Sequence, residues 1–160
     1  MADRVKIPVA AAGGIGDGRG LVAALALGAE GVSMGSRFIA TQECPVSPAA
    51  KEWIVRSTTE DTVVTDNLTG VRCRVMRNKF AESLLKMERS KVSPWEMMKH
   101  AKGSFRKVFV EGRIEEGSFG CGQVCGLITD IPTCKELLER MIAEAEMTLK
   151  SVEKIMGRTF

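Results

Sequence analysis

Two glycine turns lie close together near the start of the chain. Gly13-Gly14 follows the apolar run "IPVAAA", and Gly35-Ser36 follows "GVSM", about 20 residues further on. A glycine at the carboxyl end of a parallel strand lets backbone approach a ligand closely, because no Cβ intervenes. Free N–H groups at such a turn, and at the start of the helix behind it, favour an anion. Two adjacent strands ending this way can converge on one phosphate, and Ser36 adds a hydroxyl. Either turn alone is an ordinary tight connection. The pair, with the small-residue stretch "LVAALALGA" between them, points to phosphate binding. In (β/α)8 barrels such a site forms at the loops after strands 7 and 8. The glycines do not distinguish flavin mononucleotide (FMN) from a nucleotide substrate or a sugar phosphate. Nor do they supply an acid, a base or a redox centre.

These turns need strands and helices to hold them. Residues 7–12 are continuously apolar, the pattern of a strand buried on both faces. Asp17 is placed to cap a helix whose apolar stripe is Leu21, Ala24, Leu25 and Leu27, with Gly28 as its stop. A second strand over 31–34 and a helical turn in "RFIAT" complete a βαβ unit, so the strands should be parallel. The texture changes after Thr41. Ser47-Pro48 starts a short helix. "DTVVTDNLTGVRCRVM" reads as two strands joined by a turn around Asn67 to Gly70. A helix begins at Asn78, and Ser93-x-x-Glu96 is a capping box. The last part opens on "GSFGCGQVCGLI". A second capping box, Thr133-x-x-Glu136, then starts a long helix. Leu137, Leu138, Met141, Ile142, Ala145, Leu149 and Val152 mark one face of it, and Gly157 ends it.

The 160 residues suffice for one domain or a domain with an annex, and the apolar fraction of 44% and charged fraction of 27% are those of a globular protein. No apolar run reaches the ~18–20 residues that cross a bilayer. The N-terminus carries no signal-peptide pattern, so a cytoplasmic location and no membrane partner are expected. The net charge of +3 is scattered. The densest basic patch, Arg72, Arg74 and Arg77, reads as a solvated strand face, and no nucleic-acid partner is expected. Five cysteines, irregularly spaced, and a single histidine do not make a zinc ligand set, so no metal is expected. Cys121 and Cys125 read as small packing residues in a glycine-rich turn.

The stretch "IPVAAAGGIGDGRGLVAALALGAEGVSMGSRFIAT" resembles the C-terminal part of the barrel in nitronate monooxygenases, formerly called 2-nitropropane dioxygenases, and in their relatives, the flavin-dependent enoyl-ACP reductases. "DTVVTDNLTGVRCRVMRNKFAE" is similar to that family's inserted small domain, and "CGQVCGLITDIPTCKELLERMIAEAE" to its closing segment. The resemblance implies an α/β fold. By that resemblance it would be the C-terminal part of an FMN-binding (β/α)8 TIM barrel with an inserted α+β subdomain, the barrel being incomplete in this chain. Residues 1–42 would be strands 7 and 8 with their turns, 43–118 the inserted subdomain, and 119–160 the Gly-Gln turn and closing helix. Gly13 and Gly14 would hold the FMN phosphate after strand 7, Gly35 and Ser36 after strand 8. Gly122 and Gln123 would lie near flavin or substrate. Cys121 stands where small or hydroxyl residues are usual. The family's active-site histidine belongs to strands 1 to 6, so no catalytic residue is assigned, and His100 is expected to be structural or superficial. The implied activity is FMN-dependent oxidation of alkyl nitronates with O2, absent from the isolated chain. The alternatives are an FMN-dependent enoyl-ACP reductase and a catalytically silent FMN- or phosphate-binding remnant. An N-terminal barrel half, or a second copy, is the expected protein partner.

Overall fold

The computed structural model describes residues 2–65 and 72–157. After a 3-10 turn at Ala2–Arg4, strand β1 (Ala10–Ala12) leads through the Gly13-Gly14 turn into helix α1 (Gly18–Ala26). Asp17 caps α1 by accepting the Gly20 N–H at 3.0 Å. The chain leaves α1 through Gly28, whose φ of +89° suits a residue without Cβ. Strand β2 (Gly31–Ser33) then pairs with β1 in parallel, Ala10 opposite Gly31 and Ala12 opposite Ser33. The expected βαβ unit is therefore present and the fold is α/β. The strands are shorter than the apolar runs suggest. Ala10 and Ala12 are exposed rather than buried, because β1 and β2 form a sheet of only two strands.

Helix α2 (Ser36–Ile39) follows the second turn, and α3 (Pro48–Arg56) starts as expected, the Ser47 hydroxyl accepting the Ala50 N–H. Strands β3 (Thr62–Thr65) and β4 (Cys73–Met76) pair antiparallel. The turn expected around Asn67 to Gly70 lies outside the described residues. Arg72, Arg74 and Arg77 are exposed. Helix α4 (Lys79–Arg89) is capped by Asn78, and α5 (Pro94–Ala101) by the Ser93–Glu96 box. Helix α6 (Ser104–Phe109) follows, started by Gly103 at φ 75°. Residues 119–121 run along β4, with Met76 N–H donating to Phe119 O and Cys121 N–H to Arg74 O. That pairing carries the chain to Gly122 and a 3-10 turn at Gln123–Leu127. Helix α7 (Cys134–Met156) closes the chain, boxed by Thr133 and Glu136 and ended by Gly157 at φ 63°.

The largest core cluster takes residues from both sides of position 118. Ile54 of α3, Met76 of β4 and Val108 of α6 meet Phe119, Cys125 and Ile128. Phe119 is fully buried, with Trp53 stacked on it at 5.7 Å and Phe109 edge-on at 5.1 Å. Cys121 and Cys125 belong to this cluster, and burial pushes the Cys121 thiol up to about 11. His100 is exposed, stacked on Phe80 at 5.1 Å and bonded to the Ser83 hydroxyl.

Helix α7 packs back on α1. Its inward face is narrower than the apolar stripe suggests. Leu137 and Met141 are buried and Glu144, Ala145 and Thr148 half-buried, whereas Leu138, Ile142, Leu149 and Val152 are exposed. Period alone cannot choose between two adjoining apolar stripes when only one is covered. The α1–α7 contact is backbone-close. A Cβ at Gly18 would stand 2.5 Å from Ala145 N and 2.6 Å from Met141 O. Gly18→Ala should therefore cost about 1–3 kcal/mol, the usual range for overpacking, seen as a fall of several degrees in the thermal midpoint. Gly31→Ala, whose Cβ would meet nothing within 4 Å, is the control.

Candidate functional site

The parallel β1–β2 register brings the two glycine turns to one edge of the sheet. The ladder ends with Ala12 opposite Ser33, so Gly13-Gly14 and Gly35-Ser36 both follow from that edge. Gly13 and Gly14 both have positive φ, +90° and +76°, and both are exposed. Gly35 precedes α2 with φ −101°. An added Cβ at any of the three would meet nothing within 4 Å, so open space lies in front of each. Among the described residues, no acceptor takes the N–H groups of Gly14, Gly35 or Ser36.

The third turn joins them. The Gly122 N–H donates to Ser36 Oγ at 2.9 Å, and the Ser36 hydroxyl also lies beside the Cys121 sulfur. Gly16, just past the first turn, sits so close to the 3-10 turn that a Cβ there would be 2.7 Å from Val124 Cγ2. The structure thus joins the Gly35-Ser36 turn to Gly122 directly, and the chain just past Gly13-Gly14 to the 3-10 turn through Gly16 and Val124. Gln123 is exposed at the start of the 3-10 turn.

The start of α1 differs from expectation. Asp17 takes the Gly20 N–H and Glu144 Oε2 takes the Gly18 N–H at 2.9 Å, so the protein's own carboxylates occupy the helix end. Burial alone would raise the Asp17 carboxyl, but the Gly20 N–H and the Arg19 guanidinium outweigh it and hold it below the usual range. Behind the second turn, Arg37 is almost wholly buried. It donates to Asp130 Oδ1 at 3.2 Å, to the Asp130 carbonyl at 3.0 Å and to the Ala40 carbonyl at 3.1 Å. Arg140 of α7 grips the same carboxylate at 2.6 Å and 3.2 Å, holding Asp130 below its ordinary value. The acids beside the turns are therefore matched by arginines or by backbone N–H groups, and an anion would be met mainly by backbone N–H and the Ser36 hydroxyl. Exposed backbone N–H groups and a hydroxyl are the kind of donors from which a phosphate ester accepts. Sequence reasoning missed Arg37, Asp130, Arg140 and Glu144. The one local signal was Arg140 and Glu144 spaced i, i+4 along α7. The broad apolar groove of about 460 Å³ on Trp95, Met98, Lys99, Ala101 and Lys102 contains none of the turn residues.

The nitronate monooxygenase family model matches residues 1–144. The chain belongs to the nitronate monooxygenase family. The family is one of oxidoreductases in which flavin is typical. Residues 7–41 and 61–82, which carry the resemblance, fall within the matched span, and 121–146 overlaps its end. A probable nitronate monooxygenase of Staphylococcus haemolyticus is 33% identical over 95% of this chain and 42% of its own length. A (3aS,4S,5R,7aS)-5-hydroxy-7a-methyl-1-oxo-octahydro-1H-indene-4-carboxyl-CoA dehydrogenase of Rhodococcus jostii is 34% identical over 89% of this chain and 51% of its own length. FabK from Thermotoga maritima superposes with a TM-score of 0.90 at 44% identity, covering 96% of this chain and 49% of FabK. The chain thus spans about half the length of the relatives it matches.

Backbone strain separates the glycines. Gly13→Ala and Gly14→Ala should each lose about 1–2 kcal/mol in chemical denaturation, because an L-residue is strained at positive φ even where space is open. Gly35→Ala, at negative φ with open space, should change stability little.

Proposed function

We propose that this chain carries the phosphate-anchoring part of an FMN-bound (β/α)8 barrel of the nitronate monooxygenase type. The whole enzyme oxidises an alkyl nitronate with O2. The observation that carries this reading is the meeting of three turns, fastened by the Gly122 N–H on Ser36 Oγ, within the span the family model matches. Gly13, Gly14, Gly35 and Ser36 would hold the phosphate, while Gly122 and Gln123 would border flavin or substrate. FMN, when bound, supplies the redox chemistry. This chain's residues bind and orient it. Residues 1–42 and 119–160 are the barrel portion in this reading, and 43–118 the inserted subdomain.

An FMN-dependent enoyl-ACP reductase is the second reading, favoured by the 44% identity with FabK. Both readings need the remaining strands. The exposed stripe of Leu138, Ile142, Leu149 and Val152 on α7 and the outer edges of the two-stranded sheet offer the surface on which those strands, or a second copy, would pack.

Oxygen uptake with an alkyl nitronate, and oxidation of a reduced nicotinamide with an enoyl thioester, separate the two readings once a polypeptide supplying the other strands is added. The expected result is nitronate-dependent uptake in the mixture. The chain alone should bind FMN weakly and show little or no uptake. Turnover in the ordinary enzyme range of ~1–1000 per second from the monomer alone would refute the incomplete-barrel reading. Enoyl reduction without nitronate oxidation would establish the second.

A further inference from the structure

We propose that Arg140 and Glu144, one turn apart on α7, are positioning residues that hold the two glycine turns at the separation a phosphate requires. The proposal rests on the phosphate reading above and names how the site is kept in shape. Glu144 holds the start of α1, four residues beyond the Gly13-Gly14 turn, by accepting the Gly18 N–H at 2.9 Å. Arg140 reaches the second turn through Asp130, which it holds at 2.6 Å and which in turn holds Arg37 at 3.2 Å. Arg37 follows Ser36 directly and is fixed on two carbonyls besides. The side chains meet around a polar cavity of about 160 Å³ that also touches Gly16 and Asp17.

The two turns belong to different loops, and the β1–β2 ladder is only three residues long on each strand. Donors that must converge on one anion need placement within about 0.5 Å. A helix is stiff, and residues four apart stand ~6 Å apart along its axis. Two grips on one helix therefore tie both turns to one rigid body. Leu137 and Met141, buried on the same helix, seat that body in the protein. Neither Arg140 nor Glu144 is required to touch the ligand.

The test compares FMN with riboflavin, which lacks the phosphate, by flavin fluorescence titration of the full chain. The wild type should prefer FMN. Glu144→Ala should reduce that preference about tenfold, the equivalent of one charge-assisted hydrogen bond. Glu144→Gln, which keeps an acceptor for the Gly18 N–H, should retain most of it. Arg140→Met, at a partly exposed side chain, should also reduce the preference. Thermal unfolding of each variant accompanies the titration. Equal losses of FMN and riboflavin binding, or an unchanged preference in folded Glu144→Ala and Arg140→Met, would overturn the proposal. A wild type without preference would instead remove the phosphate reading itself, and with it the proposal.

Discussion

The direction of one short strand pair governs the site. β1 and β2 run parallel, so both chains leave the sheet at the same edge. Had they paired antiparallel, the Gly13-Gly14 and Gly35-Ser36 turns would lie at opposite ends, and no single anion could meet both. Parallel pairing in turn demands a crossover, and α1 is that crossover. Its small residues allow it to lie close, and Gly18 lets its first turn meet the α7 backbone. The site is thus a consequence of chain direction first and of residue chemistry second.

The later part of the chain reaches the same edge by a different route. Residues 119–121 are carried along β4 by two backbone hydrogen bonds, and Phe119 is locked between Trp53 and Phe109. Gly122 follows at once. Its N–H meets a side-chain hydroxyl rather than a strand, which stops the ladder and opens the turn. The aromatic core under residues 119–128 therefore fixes the position of a backbone donor beside the glycine turns. Cys121 is part of that packing. Burial raises its thiol, which suits a packing residue and disfavours a nucleophile.

Local features were legible in the sequence. The caps at Asp17, Ser47, Ser93 and Thr133 and the stops at Gly28 and Gly157 are encoded within one helical turn of where they act, and each is found. The βαβ unit and its glycine turns were legible for the same reason. Long-range pairs were not. Arg37 and Asp130 are 93 positions apart, and Gly18 and Glu144 are 126 apart. A charged residue on a helix announces solvent until the neighbour it meets is known. The face of α7 was misjudged on similar grounds: two apolar stripes adjoin, and only the elements around them decide which is covered.

Anchoring by the turns, as proposed, would let one scaffold accommodate relatives with different names. Backbone N–H groups recognise charge and shape, and they are indifferent to what is oxidised or reduced elsewhere on the cofactor. A probable nitronate monooxygenase, a CoA-thioester dehydrogenase and FabK match this chain at 33–44% identity, as expected where one fold carries different functions. Within this chain, Gln123 is exposed beside the Ser36–Gly122 bond, at the start of the 3-10 turn. In the proposed reading the glycine turns hold the cofactor and Gln123 borders the substrate, so the difference between anchoring and selecting comes down to that separation of backbone from side chain.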